Sequence, residues 1–446
     1  MARKMFEEDA REALDVGNIK EIAFICCKYG IGAGRDPHYG EILNSIVNKL
    51  ADRGKLNEFM EHFKKFSEDN GYFGKYERLK APIFIIAGDE TCYGVLHYFA
   101  DCLADALVRC GEKVMITDGR YMPYNGIEDI DNRVLKAVIG FQAPVLYKNF
   151  FKNIPTPKIQ FWFDNPVFFD RMFEGLDEDY YLLFQDGDYA GFVNKYYNVK
   201  NALHVYPGGE VTKEPDYHNR EYDVVFLGSY KDYGEIALDD DMNELLSYIM
   251  VNPELSFVEA TDRFMDDGGI AGRQRNRMDV YSKMTPVYRK IVSLYRKKII
   301  EKVLEADLPV HVYGNSWRAY DGKASDKLII HEEISAKNMI GELSKAKISL
   351  NIMAWHKDGM TERIVNSMLA GAVCLTDGTK YIKEHFSDQE NIALYSLTEL
   401  ERLPSIIKQL LSDDESRTKI AKAGYDYAIV NDTWDRRAEE IIEMIS

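Results

Sequence analysis

Thr361, Glu362, Arg363 and Asn366 stand in a run, 357–371, that reads as a loop, a short helix and the approach to a strand. From Thr361 onward, Ile364, Val365, Met368 and Leu369 share one face of a helix, while Glu362, Arg363 and Asn366 share the other. One side packs and the other is free to hold a ligand. Thr361 is an N-cap residue type, Gly371 is a C-cap type, and 372–376 reads as a buried strand. The start of such a helix carries roughly half a positive charge on its unpaired amides, and Lys357 and Arg363 lie within a turn of it. The combination suits an anion such as a phosphate.

A site of this kind needs a framework of strands and helices behind it. The first βα series begins with an apolar strand at 82–87, a turn at 88–94, a helix at 95–110 and a strand at 113–117. Further strand patterns follow at 138–141, 158–163, 182–185 and 202–206. A second series opens at 223–228 and continues at 310–314, 327–331, 348–352, 372–376 and 391–395. Two such series in succession predict an α/β chain with two facing Rossmann-like domains. Ligands of open parallel sheets sit beyond the strands' carboxyl ends. Gly88, Asp89, Tyr93 and Gly94 on one loop, and Asp164 and Asn165 on another, therefore border one cleft.

The 446 residues suggest two or three domains, and 46% hydrophobic with 12% aromatic residues supply packed cores. A net charge of −17, from 56 basic and 73 acidic side chains, argues against nucleic acid as a partner, because phosphate backbones need a positive surface. The cysteines, at 26, 27, 92, 102, 110 and 374, form no C-x-x-C pair and are read as buried, reduced thiols. The first residues lack the apolar core of a signal peptide, and no apolar run approaches about 18 residues. The expectation is a cytoplasmic protein without a transmembrane segment.

Residues 1–76 carry helical spacing at 5–16, 38–51 and 56–68. The stretch 29–35 is expected to be a turn, since Arg35 stands where a dinucleotide loop needs its third glycine. A charged helical insertion at 234–305 is expected to pack on its own domain, and the run Asp239-Asp-Asp241 in it is read as a solvated face instead of a metal site. The tail reads as two helices broken near Asn431-Asp432.

The order Phe226-Leu-Gly-Ser229, Val312-Tyr-Gly-Asn-Ser-Trp317, Met360-Thr-Glu-Arg363 with Asn366-Ser-Met-Leu-Ala-Gly371, and Thr433-Trp-Asp-Arg-Arg437 resembles the C-terminal half of CgeB-like glycosyltransferases, GT-B relatives of the large group-1 glycosyltransferases. The likeness covers about residues 220–446, and Phe161-Trp-Phe-Asp-Asn-Pro166 and Tyr206-Pro-Gly-Gly209 extend it toward the N-terminus. It implies the GT-B arrangement: a helical extension at 1–76, an acceptor-side Rossmann-like domain at 77–215, a nucleotide-sugar domain at 216–425, and a last helix at 426–446 crossing back. In that family the helix equivalent to 361–371 is bracketed by two glutamates, one facing the sugar and one holding the ribose. Asp358 and Asn366 occupy those places here, which leaves the stereochemistry open and makes Glu362 a rival to Asn366 for the ribose.

The resemblance implies transfer of a sugar from a nucleotide-diphosphate donor, a uridine diphosphate sugar first among them, to a glycan, protein or small-molecule acceptor. No metal and no separate cofactor are expected, because a helix N-terminus with Arg363 meets the leaving group's charge. Gly228, Ser229 and Lys231 are expected to assist at the diphosphate. Asn315, Trp317, Glu333 and Ile334 are expected at the base, with Trp317 stacking on base or sugar or else buried as core. Asp164 is the candidate general base or sugar contact, and His356 and Asp358 position the sugar. Two rivals share the architecture: a nucleotide-sugar epimerase, and a non-catalytic sugar- or protein-binding module. The subunit number stays open, as do dimerisation and acceptor docking as uses for residues 1–76.

Overall fold

The computed structural model describes residues 10, 12–32, 37–69, 83–86, 91–117, 135–142, 156–169, 172–230, 236–269 and 276–446. Strands β1 (Ile83–Ile86), β2 (Val114–Thr117), β3 (Ala137–Phe141), β4 (Lys158–Trp162), β5 (Tyr180–Phe184) and β6 (Ala202–His204) form one parallel sheet in the order β2-β1-β3-β4-β5-β6. Strands β7 (Tyr222–Phe226), β8 (Val310–Tyr313), β9 (Leu328–His331), β10 (Ala346–Leu350), β11 (Val373–Asp377) and β12 (Ala393–Tyr395) form a second, in the order β9-β8-β7-β10-β11-β12. The direction of winding reverses between β1 and β3 in the first sheet and between β7 and β10 in the second. A reversal leaves a crevice at the strands' carboxyl ends, and this is the two-domain GT-B fold.

The first sheet is covered differently on its two faces. Alternation along β1 turns Phe84 and Ile86 one way and Ile83 and Ile85 the other. Helices α1 (Ile19–Gly32), α2 (Pro37–Asp52) and α3 (Leu56–Asp69) cover the first pair, with Ile22, Cys26, Val47, Leu50, Phe59 and Phe63 in one core with Phe84, Ile86 and Val138. The described part of the N-terminal extension is therefore the sheet's second helical layer. Burial of each such side chain contributes about 1.5–3 kcal/mol. Of the stretch expected to be a turn, Tyr29 to Gly32 belong to the last turn of α1, and 33–35 lie outside the described residues.

On the other face lie α4 (Thr91–Arg109) and, from the second lobe, the last helix of the chain. Cys26, Cys102 and Cys374 are buried, but Cys110 is exposed where α4 ends, contrary to the expectation that every cysteine is buried. Helix α5 (Gly187–Tyr197) follows β5, started by Asp186, whose side chain accepts from the Asp188 amide.

The insertion forms α6 (Asp240–Val251), α7 (Phe257–Asp266), α8 (Arg277–Lys283) and α9 (Thr285–Glu305). Asp239 caps α6 through the Met242 amide, and Asp239 and Asp241 both pair with Lys283, at 3.0 and 3.3 Å. The insertion does not pack on its own domain alone. Phe192 of α5 meets the Tyr281 ring at 5.6 Å, and Tyr189 and Tyr196 share hydrogen bonds with Tyr288 and Tyr281 at 3.0 and 2.9 Å. Through these contacts it joins the two lobes.

Helices α10 (Met339–Leu343), α11 (Glu362–Leu369), α12 (Lys380–His385), α13 (Leu403–Ser412) and α14 (Asp414–Asn431) complete the second lobe. The chain then breaks and α15 (Trp434–Ile445) returns to the first lobe, with Trp434 against Phe99 and Asp435 paired to Arg109. The two crossings are joined by backbone: the Gly209 amide donates to the Asp432 carbonyl, and the Trp434 amide to the Gly209 carbonyl. A Cβ on Gly208 would lie 2.5 Å from the Trp434 nitrogen, so only glycine allows this approach. Among the described residues no helix is long and apolar enough to cross a membrane.

Candidate active site

A cleft of about 730 Å³ opens between the lobes at the carboxyl ends of both sheets. On the second lobe its floor is Leu227-Gly228-Ser229, leaving β7, and Thr361-Glu362-Arg363, entering α11. Thr361 is an extended N-cap whose side chain makes no capping bond, so the amides of the first turn are left uncapped by it. The Arg363 guanidinium donates from Nη1 to the Leu227 carbonyl at 3.0 Å. Its Nε lies 3.8 Å from Glu362, a loose contact. A Cβ on Gly228 would be 3.1 Å from Arg363 Nη1, so the loop and the arginine are in close contact.

The wall beside this floor comes from α9. Tyr288, Val292 and Arg296 follow at four-residue spacing and face the cleft together, with Arg289 beside them. Arg296 is buried, donates to the Ser229 carbonyl, and lies 5.1 Å from the centre of the Trp355 ring. Arg289 is exposed, 5.8 Å from the centre of the Phe168 ring. Two arginines from different elements thus stand at the Leu227-Gly228-Ser229 loop: Arg363 and Arg296. Sequence reading missed the second, although its spacing from Tyr288 and Val292 was a signal.

The first lobe supplies Tyr93, Leu96, Phe99, Phe163, Phe168 and Asp164. Asp164 is exposed and accepts a hydrogen bond from Gln142. Tyr93 crosses the cleft, its hydroxyl 3.1 Å from Ser229 Oγ. Its backbone φ of 65°, uncommon for so bulky a residue, falls in the first turn of α4. Gly314, at φ 101°, leaves room for the same hydroxyl. Glu333 and Ile334 follow β9 along the far end of the cleft.

Several expected residues are not in the cleft. Asn366 is 1% exposed and accepts the Glu210 amide at 3.1 Å, because the crossing segment lies over the polar face of α11. Asp358 turns to Lys380 at 3.1 Å and packs against Gly187. Trp317 is core: its Nε1 donates to the Gly228 carbonyl at 2.8 Å, supporting the loop from beneath. Asn315 accepts from Arg318, and Asn165 accepts the Val167 amide to cap a short turn. Gly94, at φ 72°, lies in the first turn of α4, not in a loop as expected, and does not line the cleft. Lys357 is drawn inward, where its Nζ donates to the carbonyls of Pro253 and Ala354, and burial lowers its pKa. Lys231, Gly88 and Asp89 lie outside the described residues.

A second hollow, of about 860 Å³, lies beyond β11 and β12, with Asp377, Thr379, Lys383, Tyr395 and Arg402 around it. It meets the cleft at His356, which lines both. Burial pushes the Asp377 carboxyl up, against the opposing pull of Lys357 and of the Met353 amide.

Residues 289–443 match a family model described as Glycosyl transferase-like. No curated protein matches the chain. Among solved structures, TarM of S. aureus in complex with UDP is 11% identical, with 77% of this chain and 59% of TarM covered and a TM-score of 0.45. The present chain thus spans less than two thirds of TarM. T4 phage BGT with its UDP-glucose substrate is 14% identical over 82% of this chain and 99% of that one, with a TM-score of 0.48. Sucrose-phosphate synthase from Thermosynechococcus elongatus is 10% identical over 82% and 98%, with a TM-score of 0.49. From within α9 to the last helix, the sequence is thus similar to a glycosyl transferase-like family.

Proposed function

We propose that this chain is a glycosyltransferase that moves a sugar from a nucleotide-diphosphate donor to an acceptor seated against the aromatic wall of the first lobe. The observation that carries this reading is the uncapped start of α11, opening into the cleft with Arg363 at the Leu227-Gly228-Ser229 loop. In the transfer, the acceptor oxygen bonds to the anomeric carbon and the carbon–oxygen bond to the diphosphate breaks. The electron pair leaves on the diphosphate, and the acceptor's proton goes to a base. The growing negative charge is met by the α11 amides, Arg363 and Arg296, so the chain's own cations serve without a metal. Glu362 is the group at hand for a ribose hydroxyl, and Tyr313, Glu333 and Ile334 surround the base. Asp164 and His356 stand where sugar and acceptor meet.

The CgeB-like order of motifs and the glycosyl transferase-like match support the same reading. Calorimetry with UDP and a panel of UDP-sugars tests it. Arg363→Ala is expected to weaken UDP binding by about 1.5–3 kcal/mol, the worth of a charge-assisted contact. Folded wild-type protein that binds no member of the panel, or unchanged affinity in the variant, overturns the assignment. Release of free UDP only when an acceptor is present separates transfer from epimerisation.

A further inference from the structure

The lobes touch along a polar seam behind the cleft. The Gly187 amide donates to the Asp358 carbonyl at 2.8 Å and the Met360 amide to the Gln185 carbonyl at 3.3 Å. Asp186, fully buried, lies at the centre. One carboxylate oxygen takes the Asp188 amide of its own lobe at 2.9 Å, and the other takes the Lys357 and Asp358 amides of the opposite lobe at 3.0 and 3.3 Å. Burial would raise its pKa, but His356 and the amides outweigh that and hold the carboxyl below its ordinary value.

His356 belongs to the second lobe and is 5% exposed. Its Nδ1 is sealed from solvent without a hydrogen-bond partner, and 3.6 Å away is Asp186 Oδ2. That distance is too long for a formed hydrogen bond. A buried ring nitrogen without a partner is costly, and a carboxylate is the acceptor beside it, so a small approach relieves both. Catalytic hydrogen bonds often shorten in this way only when the substrate is bound. Nε2 lies across the ring from Nδ1, and His356 lines both hollows.

We propose that Asp186 and His356, brought together across the seam between the lobes, act as a pair. Asp186 is the positioning residue: it fixes the imidazole as the Nδ1–H tautomer, so that Nε2 presents its lone pair to the cleft. There the lone pair takes the acceptor hydroxyl's proton while the acceptor oxygen bonds to the anomeric carbon and the diphosphate departs with its electrons. The catalytic part rests on the glycosyltransferase reading; the pair itself does not. Because acid and imidazole come from different lobes, the base depends on how the seam holds the lobes in register.

The pair is tested first without any substrate. Nitrogen NMR of histidine-labelled protein, with His356→Gln to identify the signal, is expected to show His356 as the Nδ1–H tautomer when neutral. Asp186→Ala is expected to abolish that preference in favour of Nε2–H; if that variant fails to fold, Asp186→Ser serves. A wild-type Nε2–H signal, or one left unmoved by the folded variant, overturns the pair whatever the enzyme's activity. In turnover with a UDP-sugar that the wild type consumes, each of Asp186→Ala and His356→Gln should lower kcat about 100-fold, the double variant no further, and UDP affinity should stay within about twofold. Multiplicative losses in the double variant would show independent roles and overturn the coupling. A wild type that turns over no donor while showing the expected tautomer overturns the glycosyltransferase reading and leaves the pair standing.

Discussion

Two of the contacts between the lobes are built from opposite materials. Where α5 meets α8 and α9, the contact is side chains: Phe192 against Tyr281, and hydroxyl pairs between Tyr189 and Tyr288 and between Tyr196 and Tyr281. At the seam it is backbone and one carboxylate, Gln185-Asp186-Gly187 against 357–360. Apolar contact is non-directional and tolerates small shifts. Hydrogen bonds between backbones do not, because they weaken steeply with angle and distance. The first contact therefore holds the lobes together, and the second sets how they are aligned across the cleft.

Breaking the apolar contact should cost stability. Phe192→Ala removes a ring that is 4% exposed in the shared core, and an unfolding free energy lower by about 3–5 kcal/mol is expected from denaturant titration. An effect below about 1 kcal/mol would mean that the contact is not an extension of the core. Breaking the seam should do the reverse, with a small loss of stability and a large loss of rate. A Cβ on Gly359 would lie 2.2 Å from the Gln185 carbonyl oxygen and 2.8 Å from Asp186 Cα. Gly359→Ala must therefore push the lobes apart there. A fall in kcat of about 100-fold is expected, as for a misplacement of about 1 Å, with stability reduced by roughly 1–3 kcal/mol. Full activity in that variant would show that alignment at the seam is irrelevant to the chemistry.

This contrast also explains what the sequence made legible. The strands fall where short apolar runs put them, because that signal is local. Thr361 and Arg363 were legible for the same reason, since helical period alone puts them at the start of α11. Asn366 shares their face, yet it is covered by a segment 156 residues earlier in the chain. A polar face in a sequence says which side avoids the local core, not what lies over it. Arg296 was missed because its partner, the Ser229 carbonyl, is 67 residues away, and Trp317 was ambiguous until its bond to Gly228 was seen across 89. Asp186 carried no motif at all. Its role comes from two loops on different sheets, and only the assembled fold brings them together.

A smaller effect separates the hydroxyls of the apolar contact from its rings. Tyr281 donates to Asp262 and also meets the Tyr196 hydroxyl, so Tyr281→Phe keeps the ring packing and deletes only those bonds. A loss of about 1–2 kcal/mol is expected in thermal or chemical unfolding, with donor affinity unchanged. A loss as large as that of Phe192→Ala would place the strength of this contact in its polar atoms and not in its area.

The smallest expected effect lies at the edge of the seam and depends on pH. Burial, then the charges of Asp186, Glu259 and Asp358, push the Asp188 carboxyl from 3.8 up to about 7. Between those values the folded chain holds a proton that the unfolded chain has released, so stability falls as pH rises through the window. Below about 4 and above about 7 the contribution is flat. Asp188→Asn removes the titration, so its stability relative to wild type should rise from pH 4 to 7 and then level. Because the group is partly open to solvent, the gain is expected at about 1 kcal/mol or less. Asp186, two residues earlier, has the opposite sign: its lowered pKa makes its contribution present above the unfolded value and lost as pH falls through the folded one. Parallel melts of Asp186→Asn and Asp188→Asn against pH should therefore diverge from wild type in opposite directions at neutral pH. Curves that move together would mean that the two carboxyls share one environment, and that the seam does not single out Asp186.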